Sequence, residues 1–146
     1  MPSRRWLPFA ALESATVFSG TANGISMIAF PWLVLERTGS ASAAGLLGAI
    51  TALPLLLSFL FAGVVVDIVG RRLVAIVSDL LSMTSVALVP LLSQQFDLGF
   101  AALAGLAVLG AVFDPAGISA REAMLPEAAA AAGLRLERAN GIHEAV

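Results

Sequence analysis

Residues 62–72 read AGVVVDIVGRR, and this stretch decides the fold. It follows a run without charge from Thr38 to Val66, and it introduces one aspartate, one glycine and two arginines before the sequence becomes apolar again at Leu73. A helix that crosses a bilayer needs about 20 mostly apolar residues, because a rise of ~1.5 Å per residue must cover a hydrocarbon core of ~30 Å. The stretch is therefore interpreted as the joint at which one membrane-spanning helix ends and the next begins.

The composition of the whole chain favours a membrane protein. Of the 146 residues, 59% are hydrophobic and 12% are charged, whereas an average soluble domain has about 25% charged residues. The net charge of −2 gives no reason to expect nucleic acid as a partner. The chain has no cysteine, and its single histidine, His143, cannot form a metal site alone. We expect an all-α protein whose main partner is the lipid bilayer, with no metal and no cofactor.

Four segments are long and apolar enough to cross a membrane, and their predicted bounds are 8–35, 41–66, 73–92 and 98–120. Helices are the expected form, since no backbone polar group can remain unpaired in hydrocarbon. Residues 1–7 are predicted to form a cytoplasmic N-terminus. Residues 123–146, which are dense in charge and alanine, are predicted to form a cytoplasmic helical segment that leads to a fifth span outside this sequence. The start resembles a secretory signal, but Glu13 interrupts its apolar part, so we exclude that reading.

The arginines predict the orientation in the membrane. With four spans, seven arginines lie on one side, and only Arg37 lies on the other. Basic residues near helix ends concentrate on the cytoplasmic side. The seven are Arg4, Arg5, Arg71, Arg72, Arg121, Arg135 and Arg138. We therefore expect a multi-pass protein of the cell's inner (plasma) membrane with a cytoplasmic N-terminus.

The joint between the second and third spans carries a recognisable motif. Gly63, Asp67, Gly70, Arg71 and Arg72 spell G-x-x-x-D-x-x-G-R-R, which resembles the signature of the major facilitator superfamily of secondary transporters. The phrases SGTANGISMIAFPWLVLERTGS, ALPLLLSFLFAGVVVDIVGRR and VFDPAGISAREAMLPEA, with a later RAN, are similar in order to the first third of its macrolide-efflux and enterobactin-exporter branch.

The resemblance implies an architecture and an activity. Residues 8–122 would be the first four spans of a twelve-helix fold, and the C-terminal half of the transporter would be missing from this sequence. The protein would export small amphipathic compounds, such as a drug, a macrolide or a siderophore. It would do so by ion-coupled antiport with alternating access and a coupling proton, while the identity of the substrate stays open.

The resemblance also implies roles for the motif. Asp67 would face the N-terminus of a helix from the other half, where the helix dipole favours an anion. Arg71 would pair with an acidic group at the cytoplasmic end of the fourth span, for which Glu122 is a candidate. Together they would hold the outward-facing state. Ile68 stands where the family often has a basic residue, so the motif's charge set departs from the family pattern.

Polar residues within the predicted spans are candidates for a substrate or proton site, because each ionisable group there costs about 2.5 to 3.5 kcal/mol on insertion scales. The resemblance places spans one and four beside a central cavity, which favours Glu13, Asn23 and Asp114. Each also has a structural interpretation. Glu13 could be solvated near Arg4 or Arg5, and Asn23 could bond across helices.

Asp114 and Asp79 have alternatives of the same kind. Asp114 could be an ion-pair partner of Arg71 or Arg121 instead of a protonation site. For Asp79 the structural interpretation is favoured, as a pair with Arg121 of the adjacent span. Small residues within spans two and four indicate close helix packing: Gly45, Gly48, Ala101, Gly105 and Gly110.

Two further classes of function remain open. Four helices could form a small membrane scaffold or partner subunit, or a non-functional truncated transporter. A membrane-embedded enzyme is disfavoured, because the sequence has no clustered histidines or cysteines and no evident nucleophile with a base. A reading frame that continues past Val146 with more apolar segments would favour the transporter over the scaffold.

Overall fold

The computed structural model describes residues 5–145, and these form helices joined by short turns. The helices are α1 (Leu7–Thr38), α2 (Ala41–Val69), α3 (Arg71–Ser93), α4 (Phe100–Ala132) and α5 (Leu136–His143). α1 to α4 are each long and apolar enough to cross a membrane. The predicted all-α class and the four candidate spans are thereby confirmed.

The turns between helices follow from single residues with special backbone preferences. α1 ends at Gly39, which has a φ of 63° and donates its backbone N–H to the Leu35 carbonyl. α2 begins after Ser40, whose Oγ accepts a hydrogen bond from the Ala43 N–H at 3.2 Å. Glycine tolerates positive φ, and serine is a preferred N-cap residue. The chain therefore reverses between α1 and α2 within two residues.

The joint between α2 and α3 is tighter than the sequence analysis predicted. α2 continues through Asp67 and Ile68 to Val69, so Gly70 alone separates it from α3. Gly70 has a φ of 100°; its N–H donates to the Val66 carbonyl at 3.0 Å, and its carbonyl accepts from the Val74 N–H at 3.1 Å. The gap of residues 67–72 between the predicted spans is thus reduced to Gly70, because one glycine completes the reversal while helical hydrogen bonds continue on both sides of it.

α4 lies at the centre of the bundle and packs against all four other helices. The two ends of the bundle are called here the Gly39 end and the Gly70 end, after the turns that they contain. At the Gly39 end the buried cluster is Phe30, Val34, Leu47, Leu98, Leu103, Ala104 and Ala107. Towards the Gly70 end α2, α3 and α4 bury Ala62, Val66, Val74, Ala75, Ala116 and Ala120. Alanine dominates the α4 side of these clusters, so its neighbours can approach its backbone closely.

α3 and α4 approach each other closely at two glycines of α4. A Cβ on Gly117 would lie 2.9 Å from Ser78 Cβ, and a Cβ on Gly110 would lie 2.9 Å from Ser85 Oγ. These two glycine–serine contacts are called the α3–α4 seam. Gly110 thus has the predicted packing role, whereas Gly117 was not predicted.

The other glycines predicted to pack closely do not do so within the described chain. A Cβ on Gly45, Gly48 or Gly105 would have no neighbouring atom within 4 Å, and the same holds for Gly63 of the motif. A packing role at these positions stays a prediction, because glycine at membrane depth marks where a helix can approach and not which helix does so.

α4 has 33 residues and is unbroken from Phe100 to Ala132, although it contains Pro115 and Pro126. At ~1.5 Å per residue it is about 50 Å long, which exceeds a hydrocarbon core of ~30 Å. No helix end falls at the predicted division between residues 122 and 123. The division into membrane and cytoplasmic parts stays a prediction, and α5 follows after a turn at Gly133.

Candidate functional site

A buried arginine joins three helices in one polar layer. Arg121 of α4 is 4% exposed. Its Nη1 donates to Asp79 Oδ1 of α3 at 2.8 Å, and its Nη2 donates to Ser19 Oγ of α1 at 3.0 Å. Ser19 Oγ in turn donates to Asp79 Oδ1 at 3.0 Å. This arginine layer brings together the predicted partners Asp79 and Arg121, and it adds Ser19, which was not predicted.

A second polar layer surrounds Asp114, which lies seven residues before Arg121 and so about 10 Å farther along the α4 axis. Ser82 of α3 donates its hydroxyl hydrogen to Asp114 Oδ1. Asn23 of α1 lies near the same carboxylate. Both neighbours in this aspartate layer are uncharged.

The ion pairs suggested for Asp114 are not formed in the described part of the chain. Arg121 pairs with Asp79 instead, and Arg71 reaches a different part of α4. Together the two layers contain one cation, Arg121, and two carboxylates, Asp79 and Asp114. The site therefore holds one surplus negative charge when both carboxylates are ionised and none when one proton is added.

Glu13 lies apart from these layers, near the Gly70 end of the bundle. It is 8% exposed, and His143 Nδ1 of α5 lies 3.2 Å from its Oε2 and 3.3 Å from its Oε1. The suggested neighbour Arg4 falls outside the described residues, and Arg5 forms no ion pair with Glu13. Its partner is thus a residue for which the sequence suggested no role.

The motif residues lie on the surface at the Gly70 end. Asp67, Arg71 and Arg72 are exposed, and Arg71 Nη1 donates to the Ala123 carbonyl of α4 at 2.9 Å. The suggested ion pair of Arg71 with Glu122 is not formed. Arg71 instead contacts the Ala123 backbone, and Glu122 is exposed.

The Gly39 end carries an ion pair that the sequence analysis did not predict. Arg37 Nη1 lies 3.2 Å from Asp97 Oδ1, and the same nitrogen donates to the Leu98 carbonyl at 3.4 Å. The pair borders an open depression of about 590 Å³ that is also lined by Glu36, Gln94 and Gln95. Asp97 is fully exposed, so the pair adds little stability.

Three residues were missed by the sequence analysis: Ser19, Ser82 and His143. Ser19 precedes Asn23 by four residues and Ser82 follows Asp79 by three, so each lies on the same helix face as a predicted residue. That spacing was a usable signal. No spacing in the sequence pointed to His143, because 130 residues separate it from Glu13.

Comparison with protein families matches residues 12–145 to the Major Facilitator Superfamily. The chain is 51% identical over 142 residues to the multidrug efflux pump Tap of Mycolicibacterium fortuitum, an alignment that covers 95% of this chain and 35% of that protein. It is 49% identical over 135 residues to the Tap pumps of Mycobacterium bovis and Mycobacterium tuberculosis, with 90% of this chain and 32% of theirs covered. The chain thus spans about a third of the length of these curated relatives. No solved structure gives a significant match.

Proposed function

The chain belongs to the Major Facilitator Superfamily, and we propose that it is the N-terminal four-helix part of a secondary active transporter. The transporter exports small amphipathic compounds across the cell's inner (plasma) membrane. The observation that carries the proposal is the pair of polar layers between α1, α3 and α4, in helices that are mostly apolar. Likeness to multidrug efflux pumps supports the direction of transport and the broad class of substrate.

The proposed coupling ion is a proton carried by Asp114. Arg121 and Asp79 neutralise each other at a distance of 2.8 Å, so their charges are fixed by their contact. The hydrogen-bond partner of Asp114 is uncharged, and among the described residues no cation forms a salt bridge with it. A carboxylate in that position can alternate between its charged and neutral forms without breaking an ion pair. Asn23 and Ser82 would orient it, and Glu13 is assigned no part in the proton pathway.

The motif at the Gly70 end is proposed to regulate alternating access. Gly70 sets the sharp reversal, and Arg71 fastens the start of α3 to α4 through the Ala123 carbonyl. Asp67 and Arg72 remain exposed, which leaves them free to contact the C-terminal half of a transporter. Asp67 would meet the positive end of a helix dipole there, and this contact would hold the outward-facing state.

Transport is tested by expressing the 146-residue chain, and any longer product of the same reading frame, in an efflux-deficient strain. A panel of amphipathic drugs, macrolides and siderophores would be measured for accumulation, followed by drug-driven proton flux in proteoliposomes. We expect a longer product to lower accumulation of some compounds and to exchange them for protons. Abundant membrane-inserted protein without export or proton flux would favour the alternative of a four-helix scaffold, partner subunit or non-functional truncated transporter.

The proposed contact of Asp67 that holds the outward-facing state, called the latch here, is tested by replacing Asp67 with Asn in the longer, transport-competent product. We expect export to fall several-fold while the amount of protein in the membrane stays near that of the parent, because Asp67 is exposed and makes no ion pair within the described chain. Asp97→Asn at the Gly39 end is the matched control and should leave export nearly unchanged. Equal export rates for the parent and Asp67→Asn would remove the latch role.

A further inference from the structure

One buried polar contact joins α5 to α1. His143 Nδ1 lies 3.2 Å from Glu13 Oε2, and the two side chains are 13% and 10% exposed. Both Glu13 oxygens lie within hydrogen-bonding distance of the same nitrogen. The function proposed above does not use this pair.

The surroundings of the pair are apolar. Near it, α1, α4 and α5 bury a single cluster of Phe9, Leu12, Leu125, Ala128, Ala129, Ala132 and Ala139. The partly buried Met124, Leu134 and Ile142 extend this cluster. Because such surroundings solvate charge poorly, a carboxylate there requires a cation or several donors.

Among the described residues, no charged side chain other than His143 forms an ion pair with Glu13. On α1, Arg5 is exposed, while Arg4 lies outside the described residues. On α4, Glu122 and Glu127 are exposed. On α5 and its flanks, Glu137 pairs with Arg135 at 3.6 Å, and Arg138 and Glu144 are exposed. Among the described residues, His143 is the one basic side chain within 4 Å of the Glu13 carboxylate.

We propose that Glu13 and His143 form a pH-dependent clasp that closes α5 onto α1. A protonated imidazole donates from Nδ1 to the carboxylate in a charge-assisted hydrogen bond, which is about twice as strong as a neutral one. Loss of the proton leaves the Glu13 carboxylate buried without a counter-charge, which favours separation of α5 from α1 so that water can reach it. Histidine is the side chain that most readily changes charge near neutral pH, so a lower pH favours the closed clasp.

The clasp regulates the position of α5, the element that follows α4. The described α4–α5 connection is a short turn at Gly133, and α5 itself has eight residues. A helix this short has little stability alone, so its position depends on the cluster and on the clasp. The pH on the side of the membrane that contains the Gly70 end would therefore set how firmly α5 is held. This inference is independent of the transport proposal.

The composition of the chain allows a direct test, because it contains no cysteine and one histidine. Ser14→Cys on α1 and Asn140→Cys on α5 place a spin-label pair on exposed positions either side of the clasp. Distances between the labels would be measured by pulsed electron paramagnetic resonance in nanodiscs at about pH 6 and about pH 8.5. We expect one narrow distance at the lower pH and a several-fold larger share of longer distances at the higher pH.

Three variants identify the groups responsible. His143→Gln removes the imidazole and should abolish the pH response. Glu13→Gln removes the carboxylate that the imidazole contacts and should abolish the pH response as well. His143→Lys keeps a positive charge throughout this range and should hold the narrow distance at both pH values, which a purely structural role of the imidazole would not produce. Glu144→Gln, at the exposed neighbour of His143, is the matched control and should respond like the parent.

Two results would overturn the clasp. One is the same distance distribution for the parent at both pH values, which requires no variant. The other is a pH response that persists in His143→Gln. If His143→Gln fails to fold, the comparison of the parent with His143→Lys decides, since equal pH responses in these two proteins contradict the proposal.

Discussion

Arg121 and Asp114 occupy neighbouring layers on one face of α4, yet they differ in how their charge is balanced. The guanidinium stays protonated under all ordinary conditions, and at 4% exposure it requires a nearby anion. Asp79 is that anion, and the guanidinium donates a further hydrogen bond to Ser19 Oγ. Asp114 instead accepts a bond from the neutral Ser82. The arginine layer is thus suited to holding the helices together, and the aspartate layer is suited to gaining and losing a proton.

Replacing Asp114 with Asn should alter how transport depends on pH. The amide resembles the protonated acid in size and cannot release a proton, so proton-coupled export by the transport-competent product should lose most of its dependence on the pH gradient. Export would be measured in proteoliposomes over a series of gradients. Asp79→Asn is the comparison and should lower the yield of folded protein while the remaining protein keeps its pH profile. A profile for Asp114→Asn that matches the parent would exclude Asp114 as the proton carrier.

The α3–α4 seam allows the backbones of α3 and α4 to lie close together. Gly110 and Gly117 are seven residues apart on α4, as are Ser78 and Ser85 on α3, so both contacts recur after two turns on the same faces. Gly117 also lies beneath the arginine layer, because a Cβ there would be 3.6 Å from Arg121 Nη1. The seam consequently sets the distance across which Arg121 reaches Asp79.

Alanine should have opposite effects at two glycines of α4. At Gly117 the new methyl would collide with Ser78 Cβ, and overpacking of this kind costs about 1–3 kcal/mol. At Gly105 no atom lies within 4 Å, so alanine should stabilise the helix by about 0.5–1 kcal/mol through its better helix propensity. Thermal unfolding of the 146-residue chain in detergent measures both. Similar melting temperatures for the two variants would contradict the close approach at the seam.

The bundle has two chemically different ends and a wide apolar surface. α2 exposes Leu53, Leu56, Leu60 and Phe61 among other large side chains, which suits contact with lipid or with further membrane helices. Most exposed arginines lie at the Gly70 end, whereas Arg37 lies at the Gly39 end. The positive-inside rule predicts that the Gly70 end lies in the cytoplasm, and this orientation stays a prediction.

Single cysteines test this orientation. Ser42→Cys lies at the Gly39 end and Asn140→Cys at the Gly70 end, and both positions are exposed. In intact cells, a thiol reagent that cannot cross membranes should label the cysteine at position 42, and it should label the one at 140 after permeabilisation. The cysteine-free parent chain controls for background labelling. The reverse pattern would place the N-terminus outside the cytoplasm.

The positions of α1 to α4 could be predicted because hydrophobicity is a local property of each segment. The predicted span 73–92 differs from α3 by only a residue or two at each end, and 98–120 begins within two residues of α4. At residues 67–72 and after residue 120 the helices continue past the apolar runs, so helix ends and predicted span ends differ there. Hydrocarbon sets the length of the apolar run, whereas glycine and backbone hydrogen bonds set where the helix ends.

Membership of a membrane-protein class, the number of candidate spans and the polar residues worth examining follow from the amino-acid sequence, since all of them depend on residue type and short spacing. The partners of those residues follow from tertiary structure. Whether Arg121 meets Asp79 or Asp114, whether Arg71 meets Glu122 or a carbonyl, and whether Glu13 meets His143 depend on the rotation of each helix about its axis. α4 is apolar or small on most of its surface, so its sequence pattern leaves that rotation open, and packing against α1, α2 and α3 sets it.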